Sequence, residues 1–268
     1  MSKILEISDL NYSKDNRNFF KDFHLEIEKG SFISIIGPNK AGKSMLTKII
    51  CAIYPTTDKC ILDGIYLNKE NVLDYIKKIG IATNDFKSPF LFKKVKDELS
   101  YPLENLGYTS YKIEKIIDKI LSSFEMEDIK DKNIDLLTES IKRKLLIILA
   151  LIHEPKLLVL DDIFLDMNAK DQIFILKKLN ELNKKGLTII NITSKLDTIY
   201  DSNLVYVLNK FKIEKILTIN ELFEEDSYLN KLGLKIPFVV DLSLKLKFYN
   251  LVDKIFYNLE ELEDSLWK

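Results

Sequence analysis

Along this chain, short apolar runs alternate with longer stretches in which apolar side chains return every three or four positions. The first kind predicts strands and the second predicts helices, and their alternation predicts an α/β domain around a parallel sheet. Near the N-terminus, residues 4–7 and 23–27 alternate apolar and polar in the manner of half-buried antiparallel strands. Largely apolar runs at 31–36, 79–83, 157–160, 188–193 and 205–208 predict buried strands, and the pair Asp63-Gly64 predicts a turn between two more. Between about Val95 and His153 the pattern is helical. Ile113, Ile116, Ile117, Ile120, Leu121 and Phe124 fall on one helix face, a stripe that predicts core packing. From about Asn220 onward the chain reads as polar-rich helix without strand-like runs, and Asn258 with Glu261 predicts a helix N-cap pair.

The first candidate chemistry sits directly after the strand predicted at 31–36. Gly37-Pro38-Asn39-Lys40-Ala41-Gly42-Lys43-Ser44 fits G-x-x-x-x-G-K-[ST], and a helix beginning near Met45 follows it. Strand, loop and helix in that order are the context in which this pattern grips phosphate. Backbone N–H groups at a helix N-terminus point at the polyanion, and the helix dipole adds to the attraction. Gly42 lets the backbone come close, Lys43 reaches the β/γ oxygens, and the Ser44 hydroxyl is a Mg²⁺ ligand. A second half is predicted at Leu157-Leu158-Val159-Leu160-Asp161-Asp162, where four apolar residues drive a strand into the sheet and carboxylates emerge at its C-terminal end. Asp161 is the candidate metal-side acid and Asp162 the candidate contact to an attacking water.

Composition removes other classes. The formal net charge is −1, with 40 Lys and Arg against 41 Asp and Glu, so no basic field argues for nucleic acid. The start, MSKILEISDL, lacks the basic and apolar regions of a secretory signal, and the longest apolar stretch is less than half of what crosses a bilayer. Cys51 and Cys60 lack metal or redox spacing and read as buried reduced thiols, while His24 and His153 have no partners at ligand spacing in the sequence. Asn209-Lys210 continues as Phe211-Lys212 without the acid that reads guanine, so a GTPase is not expected.

With the phosphate loop and the 157–162 strand in place, the chain resembles the ABC ATPase superfamily, and more narrowly the ATP-binding subunits of energy-coupling-factor (ECF) transporters. IEKGSFISIIGPN, VKDELSYPLENLG, LLVLDD and LVYVLNK are similar to family segments in the expected order, and LGLKIPFVVDLSLKL with NLEELEDSL resembles the ECF C-terminal region. The resemblance implies a nucleotide-binding domain over 1–219. It would have a RecA-like core with a mixed sheet, an antiparallel N-terminal part and a helical subdomain at about 95–153, with a small helical appendage at 220–268. It implies ATP and Mg²⁺ held by Gly37 to Met45, Asp161 and Asn84. It also implies a second ATP-binding subunit, the same or different, closing head to tail over two ATPs. A transmembrane coupling subunit and a substrate-binding membrane subunit would place the complex at the cytoplasmic face of the membrane and import a vitamin or metal ion.

The departures from the family pattern fall on the hydrolysis machinery. The family's signature loop LSGGQ corresponds to Leu137-Thr138-Glu139-Ser140-Ile141, so a carboxylate, Glu139, replaces a glycine that would face the partner's ATP. The usual catalytic glutamate is Asp162, one methylene shorter, and a displacement of about 1 Å can cost ~10²-fold in rate. Ser194 stands for the family's histidine, Asn84 for its coupling glutamine and Asn168 for the D-loop aspartate. The adenine-stacking aromatic falls on Lys14, with Tyr12 as the substitute. These changes predict retained ATP binding with slow hydrolysis. The alternative is a pseudo-ATPase that binds ATP as a regulatory partner of an intact ATPase. A soluble ABC protein without a transport role, such as a ribosome-acting factor, is less consistent, because those carry two nucleotide domains.

Overall fold

The computed structural model of the protein describes residues 2–14, 17–54, 59–84 and 90–267. Two long strands, β1 (Lys3–Lys14) and β2 (Arg17–Glu28), lead into β3 (Phe32–Ile36) and α1 (Lys43–Ile50). The short β4 (Cys60–Leu62), β5 (Ile65–Tyr66) and α2 (Val72–Ile76) precede β6 (Ile79–Thr83). Three helices follow, α3 (Val95–Asn105), α4 (Ser110–Ser123) and α5 (Glu139–Leu151). Next come β7 (Leu157–Asp161), α6 (Ala169–Lys184), β8 (Thr188–Thr193), β9 (Leu204–Asn209) and β10 (Lys212–Leu217). The described chain closes with α7 (Ile219–Glu224), α8 (Asp226–Lys231), α9 (Phe238–Phe248) and α10 (Leu259–Leu266).

The strands form two sheets, an antiparallel β2-β1-β4-β5 and a mixed β10-β9-β3-β8-β7-β6. In the mixed sheet β9, β3, β8, β7 and β6 run parallel, and β10 pairs antiparallel at the edge. Every residue of β3, β7 and β8 is buried, as expected of strands covered on both faces. Their alternate side chains feed two cores. Ile33, Ile35, Val159 and Ile192 pack with Leu46, Ile49 and Ile50 of α1 and with the antiparallel sheet. Phe32, Leu158, Leu160 and Ile189 pack against α3, α4 and α5. The predicted stripe lies there: Ile113, Ile117, Leu121 and Phe124 are buried and Ile116 and Ile120 partly so, each full burial worth about 1.5–3 kcal/mol. A third cluster joins Ile36, Val205 and Val207 to Leu222, Phe223, Leu229 and Val240, so the C-terminal helices are seated on the sheet.

The parallel register fixes where chemistry can occur. Ile36 lies opposite Thr193, Asp161 opposite Ile192, and Thr83 opposite Asp161. The residues just past these ends, Gly37, Asp162, Ser194 and Asn84, therefore leave the sheet along one edge.

Three expectations need correction. The alternating β10 (Lys-Ile-Glu-Lys-Ile-Leu) is an edge strand that the sequence reading does not contain. Asn258 does cap α10, but its side chain accepts from the Glu260 N–H; the full capping box is made instead by Thr218 and Glu221 at α7. His24 is not isolated from carboxylates. The β1–β2 pairing, with Leu10 opposite Phe23, brings its Nε2 within 3.5 Å of Asp9 and 3.3 Å of Asp22, all three exposed.

Candidate functional site

The phosphate loop is built tightly against its neighbours. A Cβ at Gly37 would overlap the carbonyl oxygen of Leu208, so glycine is what lets the loop leave β3 beside β9. Gly42 has φ +111°, and a Cβ there would lie 2.5 Å from Cδ1 of Phe211. Lys40, where the family pattern has glycine, also adopts the left-handed region (φ 67°), a conformation costing a non-glycine residue about 1–2 kcal/mol. Asn39, Lys40 and Ser44 are exposed, Pro38 and Met45 half-buried, and Ala41 buried.

Lys43 is buried, and its Nζ donates to the Gly37 carbonyl at 2.7 Å and the Pro38 carbonyl at 3.1 Å. Burial pushes its pKa below the ordinary lysine value, and the nearby charges of Asp162 and Asp161 oppose that shift. That coupling ties the loop to the acidic end of β7. Asp161 is buried, with its carbonyl accepting from the Asn84 N–H at 3.2 Å. Asp162 adopts φ 49°, strained for an L residue, and its Oδ1 accepts from the Ser194 N–H at 3.1 Å. The predicted residues Lys43, Asp161, Asp162, Asn84 and Ser194 are thus one neighbourhood. Exposed Ser44 at the head of α1 and the Asp161 carboxylate are hard oxygen donors of the kind Mg²⁺ takes.

The signature-loop residues are arranged differently. Thr138 caps α5 by accepting from the Ile141 N–H. Glu139 is turned back onto its own helix, 2.9 Å from Lys142 and 4.0 Å from Arg143, which offsets the charge that sequence reading places toward a phosphate. Ser140 is buried, and its hydroxyl donates to Asp171 Oδ2 at 2.5 Å. Asn168, the N-cap of α6, donates from Nδ2 to Ser140 Oγ (3.0 Å) and to Asp171 Oδ2 (2.7 Å). Lys144 lies 3.3 Å from Asp171, and Arg143 3.7 Å from Asp166. Burial alone would raise the Asp171 carboxyl, but Ser140, Asn168 and Lys144 hold it below the usual carboxylate range. An aspartate at 168 could cap but not donate, so the asparagine is what lets this corner close.

Tyr12 is half-buried with its ring parallel to Tyr54 at 5.7 Å, and the Lys14 ammonium lies 4.6 Å from the Tyr54 ring centre. The ring that touches the phosphate loop is Phe211, which the sequence reading used only to exclude GTP. A further groove, about 280 Å³, lies between β6, α3 and α5, lined by Ile81, Glu98, Tyr101, Pro102, Leu149 and His153. Glu98 accepts the N–H groups of Leu91 and Phe92 at 2.8 and 2.7 Å. Burial raises its carboxyl, with those bonds opposing, and burial lowers the His153 pKa below 6.5.

The ABC transporter family matches residues 20–164, more than half of the chain. This chain is an ABC-type ATPase. Its relatives are energy-coupling-factor transporter ATP-binding proteins. EcfA of Pediococcus pentosaceus is 31% identical over 89% of this chain and 87% of its own length. EcfA1 of Streptococcus thermophilus is 30% identical over 99% and 98%. Among solved structures, CbiO1 of Clostridium perfringens, described as part of the ABC transporter complex CbiONQ, superposes with a TM-score of 0.75 at 26% identity, covering 88% of this chain and 97% of that one. A dimeric ATP-binding cassette with ADP and Pi gives 0.72 at 21% identity over 81% and 99%, and shares the fold. The ABC ATPase thus belongs to the ECF branch, and ATP is its nucleotide.

Proposed function

We propose that this ABC ATPase is the ATP-binding subunit that powers an ECF-type importer of a vitamin or metal ion, working at a slow rate of hydrolysis. The observation that carries the reading is Lys43. It is buried at the head of α1, and the strand register sets Asp161, Asp162, Asn84 and Ser194 at the same end of the sheet as the loop, so loop and acids can serve one nucleotide site. On this reading Lys43 exchanges its carbonyl contacts with Gly37 and Pro38 for phosphate oxygens, while N–H groups at the start of α1 hold the polyanion. Mg²⁺, held by Ser44 and Asp161 with Asn84 nearby, would neutralise charge on the phosphates. Asp162 orients the attacking water and Ser194 donates a hydrogen bond without the positive charge of a histidine.

The ATPase would close head to tail with a second ATP-binding subunit, and its open groove beside Tyr101 and Leu149 fits a helix of a membrane coupling subunit. Among the described residues no helix is long and apolar enough to cross a membrane, consistent with peripheral attachment at the cytoplasmic face through that partner. The 1–219 region would carry ATP chemistry, and the helices from 220 to 268 would serve as the ECF-type appendage. A second reading, an ATP-binding regulatory subunit without useful turnover, is favoured by Ser140, which stands where the signature loop has a glycine and is fixed to Asp171.

Co-expression with an ECF coupling subunit tests the proposal. The wild type should be recovered with the membrane, and Tyr101→Asp should release it while ATP binding persists. Recovery of both in the soluble fraction would sink the transport reading.

A further inference from the structure

Between β9 and β10 the chain reverses in two residues, Lys210 and Phe211, with Asn209 opposite Lys212. Both sit in the left-handed region, at φ 47° and 63°. Turns of this kind ordinarily take Asn, Asp or Gly, and a lysine followed by an aromatic is a costly pair there. Backbone strain in a folded protein persists where the surroundings over-determine it, and it clusters at sites that bind or switch.

What over-determines this turn is the phosphate loop. The Phe211 N–H donates to the Ala41 carbonyl at 2.9 Å. Its ring occupies the space that a Gly42 side chain would need. The ring also packs edge-on with Phe19 at 5.2 Å and Phe20 at 5.6 Å, both on β2, and Phe20 lies close to the same Gly42 space. Leu208, three residues earlier, crowds Gly37 at the other end of the same loop. The β9–β10 hairpin therefore holds both ends of the phosphate loop. The middle of the loop, Asn39 and Lys40, is exposed between them.

We propose that Phe211 is a positioning residue for nucleotide binding, holding Ala41 and Gly42 in the shape that points the loop's N–H groups at phosphate, and that the strain of its turn is retained for this. A pre-shaped loop has less disorder to lose when the anion arrives, so the ring acts on affinity without touching ATP. This rests on the reading of the loop as the ATP site.

The test compares wild type, Phe211→Gly and Phe211→Tyr in the whole chain, by calorimetric titration with Mg-ATP and by thermal unfolding. Phe211→Gly relaxes the turn while removing the ring. Its unfolding midpoint should fall by no more than a few degrees, since relief of the turn offsets part of the lost packing, while ATP binding weakens about tenfold and amide exchange at residues 40–43 quickens. Phe211→Tyr should restore affinity to within about twofold of wild type. Phe211→Gly binding ATP as tightly as wild type would overturn the proposal. So would a loss of affinity matched by a larger fall in midpoint and left unrepaired by Phe211→Tyr, which would mark the ring as ordinary packing. Wild type failing to bind Mg-ATP would instead refute the underlying site.

Discussion

At the phosphate loop, the side chain that departs from the family pattern, Lys40, is exposed, while Lys43 stays buried and bonded to the loop's own carbonyls. At the corner between α5 and α6, the departing side chains Ser140 and Asn168 have turned toward each other and toward Asp171. The difference follows from what each region depends on. A loop whose N–H groups do the binding tolerates a new side chain, provided the backbone can still reach its unusual φ. At a loop whose family pattern has glycines facing a partner's nucleotide, the replacing side chains, Glu139 and Ser140, have instead taken contacts within their own chain. Substitution thus meets two different responses in one fold, which the proposed reading ties to retained binding and slow turnover.

Lys43→Ala should have the largest effect. Losing a charged hydrogen-bond donor to phosphate should weaken ATP binding by about 10- to 100-fold, measured calorimetrically, and a change under threefold would show that the loop does not bind as described. At the other region, Asp171→Ala leaves Ser140 and Asn168 without their shared acceptor and Lys144 without its partner. It should cost about 2–3 kcal/mol, a fall of roughly 5 °C in the unfolding midpoint, with little change in ATP affinity. A large loss of binding instead would show that the corner serves this chain's own nucleotide. Lys40→Gly relieves the left-handed strain and should raise stability by about 1 kcal/mol or less with ATP affinity nearly unchanged, so a marked loss would give the lysine a direct role. The smallest effect concerns His153. Burial holds its pKa below 6.5, so the unfolded chain takes up the proton first, and the stability it contributes is complete above pH 6.5 and declines as pH falls below that value. His153→Gln should flatten that acid-side decline in thermal scans between pH 7 and 5.

Much of this was legible before the structure. The five buried strands of the parallel sheet follow from apolar runs, and the loop 37–44 and the acids after β7 from the glycine and aspartates that end two of them, all local signals. The parts that were not legible depend on contacts between distant residues. β10 is a half-exposed edge strand whose alternation is too short to stand out. His24 meets Asp9 only through the hairpin register. Ser140 and Asp171 lie 31 positions apart, and nothing in either sequence segment shows that the hydroxyl is buried there. Phe211 was read for the guanine acid it lacks, and the clue to its place was Gly42, whose missing side chain leaves room for a ring.

On the proposed reading ATP binding survives while turnover is slow, because Asp162 is short, Ser194 cannot carry charge and Ser140 fills the place of a signature-loop glycine. Mg-ATP binding and phosphate release measured side by side on the purified chain test it most directly. The expected result is saturable ATP binding that Lys43→Ala abolishes or greatly weakens, with turnover at least ~10²-fold below the 1–10³ s⁻¹ of typical enzymes. Tight binding together with turnover inside that range would show that Asp162 and Ser194 do not slow hydrolysis.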